Sequence, residues 1–184
     1  MAGTADRLGR EDWIREALRL LAESGIEAVR VEPLARRLKV TKGSFYWHFA
    51  DRPALLEALK VHWEAVATGA IIEEVEATGG DAAARLWRLT ELTLPSDGRV
   101  EMAMRAWAAT DPAAAEAVRR VDGRRLEFLE RLFRELGYGE ATARARARLA
   151  YHSLIGAFAM GVRGDGAERL ATARLNHAML IRPE

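Results

Sequence analysis

The chain has 184 residues, no cysteine, and 28 Lys and Arg against 27 Asp and Glu, a net charge of +1. That length fits one compact unit or a small head with a larger body, and the near-neutral charge excludes a general polyanion binder. Without cysteine there are no disulfides, no thiol catalysis and no Cys-based zinc site. The longest apolar run, Leu154 to Val162, is far too short to span a bilayer, and no hydrophobic stretch precedes Arg7 and Arg10, so no secretory signal is read and a cytoplasmic location is expected.

In chain order, the first predicted element is an amphipathic helix carrying Ile14, Ala17, Leu18 and Leu21, closed by Ser24-Gly25-Ile26. A short helix around Leu34 to Leu38 follows, then a tight connection at Lys39-Val40, with Thr41 placed to cap the next helix through its hydroxyl. Asp51 caps a long helix with Leu55, Leu56, Leu59, Trp63 and Val66 on its apolar side, ending at Thr78-Gly79-Gly80, and Pro53 is tolerated in its first turn. Asp81 caps a helix that closes at Pro95 to Gly98. One from about Arg99 to Ala109 follows. Asp111-Pro112 opens a long one with Ala117, Val121, Leu126, Leu129, Leu132 and Phe133, which stops at Gly137. The last two run from about Glu140 to Met160 and from Gly166 to Leu180. No segment alternates as a strand would. The expected fold is all-α with about nine helices.

Lys42-Gly-Ser-Phe-Tyr-Trp-His-Phe49 places five ring-bearing residues in a row. Side chains on a helix step by about 100°, so five consecutive rings cannot all face one core. Phe45 and Phe49, four apart, share the natural buried face. Tyr46, Trp47 and His48 then fan across the opposite side, flanked by Lys42 and Ser44. Exposed rings beside a cation fit a DNA groove; a short aromatic plug at the end of a bundle is the alternative. From Arg30 to Arg52 six bases (Arg30, Arg36, Arg37, Lys39, Lys42, Arg52) stand against two acids (Glu32, Asp51), a surplus of four. That surplus suits a phosphate-facing patch, although a solvated charged surface would look alike.

Helix, turn and helix at this spacing resemble the DNA-binding domain of the tetracycline-repressor (TetR) family. The resemblance runs from about Trp13 to Leu59, through Val31-Glu-Pro-Leu-Ala-Arg-Arg-Leu-Lys-Val40, the aromatic run and Asp51-Arg-Pro-Ala-Leu-Leu56. It implies that Thr41, Lys42, Ser44, Tyr46 and His48 touch phosphates or bases, and that Gly43 allows close backbone approach. It also puts Trp47 at a base edge and Arg52 on a phosphate. Two positions depart from the family: Lys39 stands where a turn glycine is usual, and Val31 where Ser or Thr usually caps. The implied partners are an inverted-repeat operator in double-stranded DNA, a second copy of the chain, and an apolar or amphipathic small-molecule effector. The implied organisation is a DNA-binding domain over 1–52 and an effector-binding and dimerisation domain over 53–184, acting as a ligand-released repressor.

In the body, Trp63, Trp87, Met102, Trp107, Phe128, Tyr151 and His152 are candidates to line an effector chamber, although taken singly such residues more often pack a core. His62 and His152 show no metal-ligand spacing, and Glu73, Glu74 and Glu76 suit a solvated face better than acid–base chemistry. No cofactor, metal or catalytic group is expected, and the chain is read as a regulator, not an enzyme. Constitutive DNA binding without an effector and a helical-bundle enzyme or carrier are the alternatives. The penultimate helix is rich in small residues (Ala143, Ala145, Ala147, Ala150, Ser153, Gly156, Ala157). With the last helix it would make half of a dimeric four-helix bundle, unless it packs only within the chain.

Overall fold

The structure is a computed structural model that describes residues 8–161 and 164–182. Arg7 and Val162, used above to read a leader and the apolar run, lie outside those residues. All regular structure among the described residues is helical: α1 Arg10–Ser24, α2 Val31–Arg37, α3 Lys42–Tyr46, α4 Arg52–Glu64, α5 Ala70–Thr78, α6 Ala82–Thr93, α7 Arg99–Ala108, α8 Pro112–Glu135, α9 Glu140–Ala159 and α10 Gly166–Leu180. A π-turn, Ala65–Gly69, joins α4 to α5 without a break, so the described residues form nine helical rods, as expected. None is long and apolar enough to cross a membrane.

The residues group into two compact units, Met1–Trp63 with Arg99–Ala117 and Glu64–Gly98 with Val118–Glu184. In the first, α1 follows the expected stripe, and Trp13, Ile14, Ala17, Leu20 and Leu21 are buried together with Leu34, Phe45, Phe49, Leu55 and Leu59. Its start is fixed by the Asp12 carboxylate, which accepts from the Gly9 N–H at 2.7 Å. α2 starts at Val31, so Arg30 and not Val31 takes the cap position, and it makes no side-chain cap bond. Lys39 closes the turn with φ +57, a left-handed conformation that costs a side-chain-bearing residue on the order of 1 kcal/mol. Asp51 caps α4 through the Ala54 N–H at 2.8 Å.

The second unit is built on a core of Val75, Ala82, Leu86, Phe128, Leu129, Leu132, Phe133, Ala143, Ala147 and Tyr151. Asp81 and Asp165 each cap a helix by accepting from backbone N–H groups. Gly98, at φ +71, lies against Phe158, where a Cβ would stand 2.2 Å from the ring, so no other residue fits. Val66, expected on the apolar stripe, is exposed while Thr68 is buried. The π-turn explains the exchange, because its wider turn shifts the phase of the stripe.

Phe45 contributes the buried area that seats α3, its ring edge-on to Trp13 at 5.3 Å and stacked on Phe49 at 5.4 Å. Phe45→Ala is expected to cost about 3–5 kcal/mol of stability, whereas Trp47→Ala should change it by less than about 0.5 kcal/mol. Urea unfolding of both variants measures this; equal losses would mean that α3 is turned the other way.

Candidate nucleic-acid interface

α3 is only five residues long, and it is oriented by its own aromatic alternation. With Phe45 and Phe49 buried, Tyr46 is 61 % exposed and Trp47 87 %. Thr41, Lys42 and Gly43 are also exposed, while Ser44 and His48 are half-buried. Tyr46 and Trp47 face solvent as the spacing predicted, whereas His48, expected to fan outward with them, is half-buried. Thr41 occupies the cap position but makes no side-chain cap bond, contrary to expectation; only its carbonyl accepts from the Ser44 N–H, at 3.1 Å. Its hydroxyl is therefore not spent on the helix. A Cβ at Gly43 would meet nothing closer than that hydroxyl, at 3.6 Å, so Gly43 is not required by packing within the head.

The charges around this surface are more committed than the sequence count suggested. Arg37 bridges Glu16 and Glu23 of α1, donating to Glu23 Oε2 at 2.7 Å. Its hydrogen bonds hold the Glu23 carboxyl below the usual carboxylate range. Arg30 lies 3.5 Å from Glu27. Lys42 Nζ donates to Glu32 Oε1 at 2.6 Å. Arg52 is half-buried and donates to two carbonyls, Val29 at 2.7 Å and Ile26 at 2.9 Å. In the free head it ties the turn after α1 to the start of α4, a role the sequence did not announce. Arg36 and Lys39 have no ion-pair partner among the described residues. Both acids that meet Arg37 lie upstream of Arg30, outside the stretch in which the basic surplus was counted.

The candidate effector residues fall in both units. Trp63, Met102 and Trp107 belong to the first, where both indoles are buried and Lys60 Nζ stands 5.9 Å from the centre of the Trp107 ring. Trp87, Phe128, Tyr151 and His152 belong to the second. There Phe128 and Tyr151 join the core. Trp87 is half-buried, edge-on to His177 at 5.4 Å, with its N–H on Glu91 at 2.9 Å. His152 points outward. Glu74 and Glu76 pair with arginines, Arg88 and Arg131 respectively.

Sequence reasoning missed the polar centre of the second unit. Arg125 donates to Thr68 Oγ1 at 3.0 Å, to the Ala67 carbonyl at 3.0 Å and to the Tyr151 hydroxyl at 3.1 Å. Tyr151 in turn donates to Asp122 Oδ1 at 2.6 Å. The network fastens α8 to the π-turn, and separations of up to 58 positions along the chain hid it from any local pattern. No group of metal-ligating side chains gathers among the described residues.

A buried aromatic pair under an exposed ring-and-cation face, set by a helix, a tight turn and a helix, defines a helix-turn-helix head of the kind found in bacterial regulators. Residues 14–59 match the model of bacterial regulatory proteins of the tetR family, so the head is a domain of that family. The tetracycline repressor protein class C of Escherichia coli is 46 % identical over 54 residues, which are 29 % of this chain and 25 % of that protein. The chain thus matches about a quarter of the length of the curated relatives it resembles. Over the whole fold it is similar to a TetR-family regulator from Rhodococcus sp., with a TM-score of 0.71 at 19 % identity, covering 97 % of this chain and 100 % of that one. A regulator from Saccharomonospora viridis, solved in complex with choline, has a TM-score of 0.70 at 20 % identity over 93 % and 92 % of the two chains.

Burial pushes the Tyr151 phenol up to about 12, against the pull of the Arg125 charge and with the Asp122 bond assisting. Because its folded pKa is raised, the stabilisation it supplies is present below the ordinary value of 10 and is lost as pH rises through about 12. Titration followed by phenolate absorbance should show a late-ionising tyrosine, absent in Tyr151→Phe; an unchanged curve in that variant would refute the assignment.

Proposed function

We propose that the chain is a sequence-specific transcriptional regulator that binds an inverted-repeat operator as a homodimer and is released by a small molecule. Residues 1–52 would carry DNA recognition, and residues 53–184 effector binding and dimerisation. The observation that carries this reading is the α3 surface: Tyr46 and Trp47 exposed, Lys42 beside them, and Phe45 and Phe49 spent on the core. Adjacent exposed rings beside a cation mark an interaction surface, and a thymine methyl in a major groove is a suitable partner for the indole. Thr41, Lys42, Gly43, Ser44, Tyr46, Trp47 and His48 are assigned to the interface. Arg52 reaches a phosphate only through what its two carbonyl bonds leave available.

Dimerisation is assigned to α9 and α10 on the strength of their unsatisfied apolar surface. Leu149, Met160, Leu175 and Met179 are large and exposed, and all four belong to α9, α10 or the residue that ends α9. Two heads on one palindromic site would place their recognition helices about 34–36 Å apart. The choline bound to the Saccharomonospora regulator supports a small effector for this fold. The aromatic side chains of Trp63, Trp107, Trp87, Phe128 and Tyr151 suit an apolar or amphipathic one, with Met102 and His152 the remaining candidates. Such a ligand releases DNA only by binding the free conformation more tightly, and a hundredfold release corresponds to a coupling of about 2.7 kcal/mol.

Selection from random duplexes should enrich a two-fold symmetric sequence whose affinity falls steeply with salt. Trp47→Ala should relax preference at one position by roughly 1–3 kcal/mol. Lys42→Ala should weaken operator binding and flatten the salt slope by about one unit. Enrichment of no symmetric sequence would exclude this function. Tryptophan fluorescence titrations of a candidate effector with and without operator test release, and equal affinities would exclude coupling.

A further inference from the structure

Glu32 is an acid held at the edge of a surface assigned to a polyanion. It lies in the first turn of α2, and its Oε1 receives the Lys42 Nζ at 2.6 Å, so its carboxylate stands beside the residue that opens α3. Neither group is buried: the side chains are 59 % and 61 % exposed. The hydrogen bond from Lys42 holds the Glu32 carboxyl below the usual carboxylate range, with its own backbone N–H and the more distant Arg30 adding to the effect. Glu32 is therefore ionised where the head would meet DNA, and the exposed pair is free to exchange partners.

We propose that Glu32 and Lys42 form an exchange pair that determines sequence selectivity: paired in the free head, they separate on the cognate site, Lys42 to a phosphate and Glu32 to a cytosine amine. The inference rests on the reading of α3 as a groove-entering helix. In that docking the N-terminal residues of the recognition helix meet base edges, and the ion pair carries Glu32 to that end of α3. A phosphate that takes Lys42 strands a carboxylate among anions, so contact with arbitrary sequence gains little. The loss is made good only where the groove offers a donor. Cytosine presents its N4 amine, whereas adenine sets its N6 amine beside the N7 acceptor, which repels a carboxylate. Glu32 thus suppresses indiscriminate binding and rewards one base pair in each half-site.

The test compares the full-length chain with Glu32→Ala and Glu32→Gln, both at an exposed position, by selection from random duplexes and by affinity for an unselected duplex at low salt. The wild type should prefer cytosine at one symmetric position in each half-site. Glu32→Ala should lose about tenfold discrimination there, and Glu32→Gln should turn the preference toward adenine. Both variants should hold the unselected duplex roughly three- to tenfold tighter than the wild type, since Lys42 then meets phosphate without leaving an anion behind. If the wild type selects a symmetric site and Glu32→Ala selects the same bases with unchanged affinity for unselected DNA, this assignment is overturned and the DNA-binding reading stands. If the wild type selects nothing, both fall together.

Discussion

The ring of Phe45 is the constraint on which the head depends. It lies edge-on to Trp13 of α1 and stacked on Phe49. A helix of five residues makes too few backbone bonds to hold itself in water, so α3 exists because this side chain fastens it to α1. One buried ring fixes the rotation of α3, and the rotation determines which neighbours face outward. Tyr46 and Trp47 are exposed because Phe45 is not.

A second theme is that cations near a recognition surface are seldom idle before a partner arrives. Arg37 holds two glutamates of α1, Arg52 holds two carbonyls, and Lys42 holds Glu32. The first two arrangements stabilise the head; the third is exposed and exchangeable. A local excess of basic residues therefore overstates the charge on offer. What counts is how many of those cations can change partners without breaking the fold.

The helices were legible because their ends are written in local chemistry. Asp51, Asp81, Asp111 and Asp165 each accept from backbone N–H groups at the start of a helix, and Gly79 and Gly137 follow helix ends with positive φ. The outward face of α3 was legible because its ring spacing admits only one burial. The Thr41 cap did not form, and Val66 and Thr68 exchanged places, since a π-turn breaks the 3.6-residue count on which periodicity rests. The Arg37 and Arg125 partnerships were invisible for another reason: they join residues 14 to 58 positions apart, and no spacing rule reaches across a tertiary contact.

The guanidinium of Arg125 donates from different nitrogens to a threonine hydroxyl, a tyrosine hydroxyl and the carbonyl of Ala67. A lysine carries its donors on a single nitrogen and cannot span that fan. Thr68, Tyr151 and Asp122 are each matched to a particular donor or acceptor in the set, so changing one alone removes a bond from another member. These positions are therefore coupled in substitution: the shape of the π-turn, which presents Ala67 and Thr68, and the reach of Arg125 depend on each other.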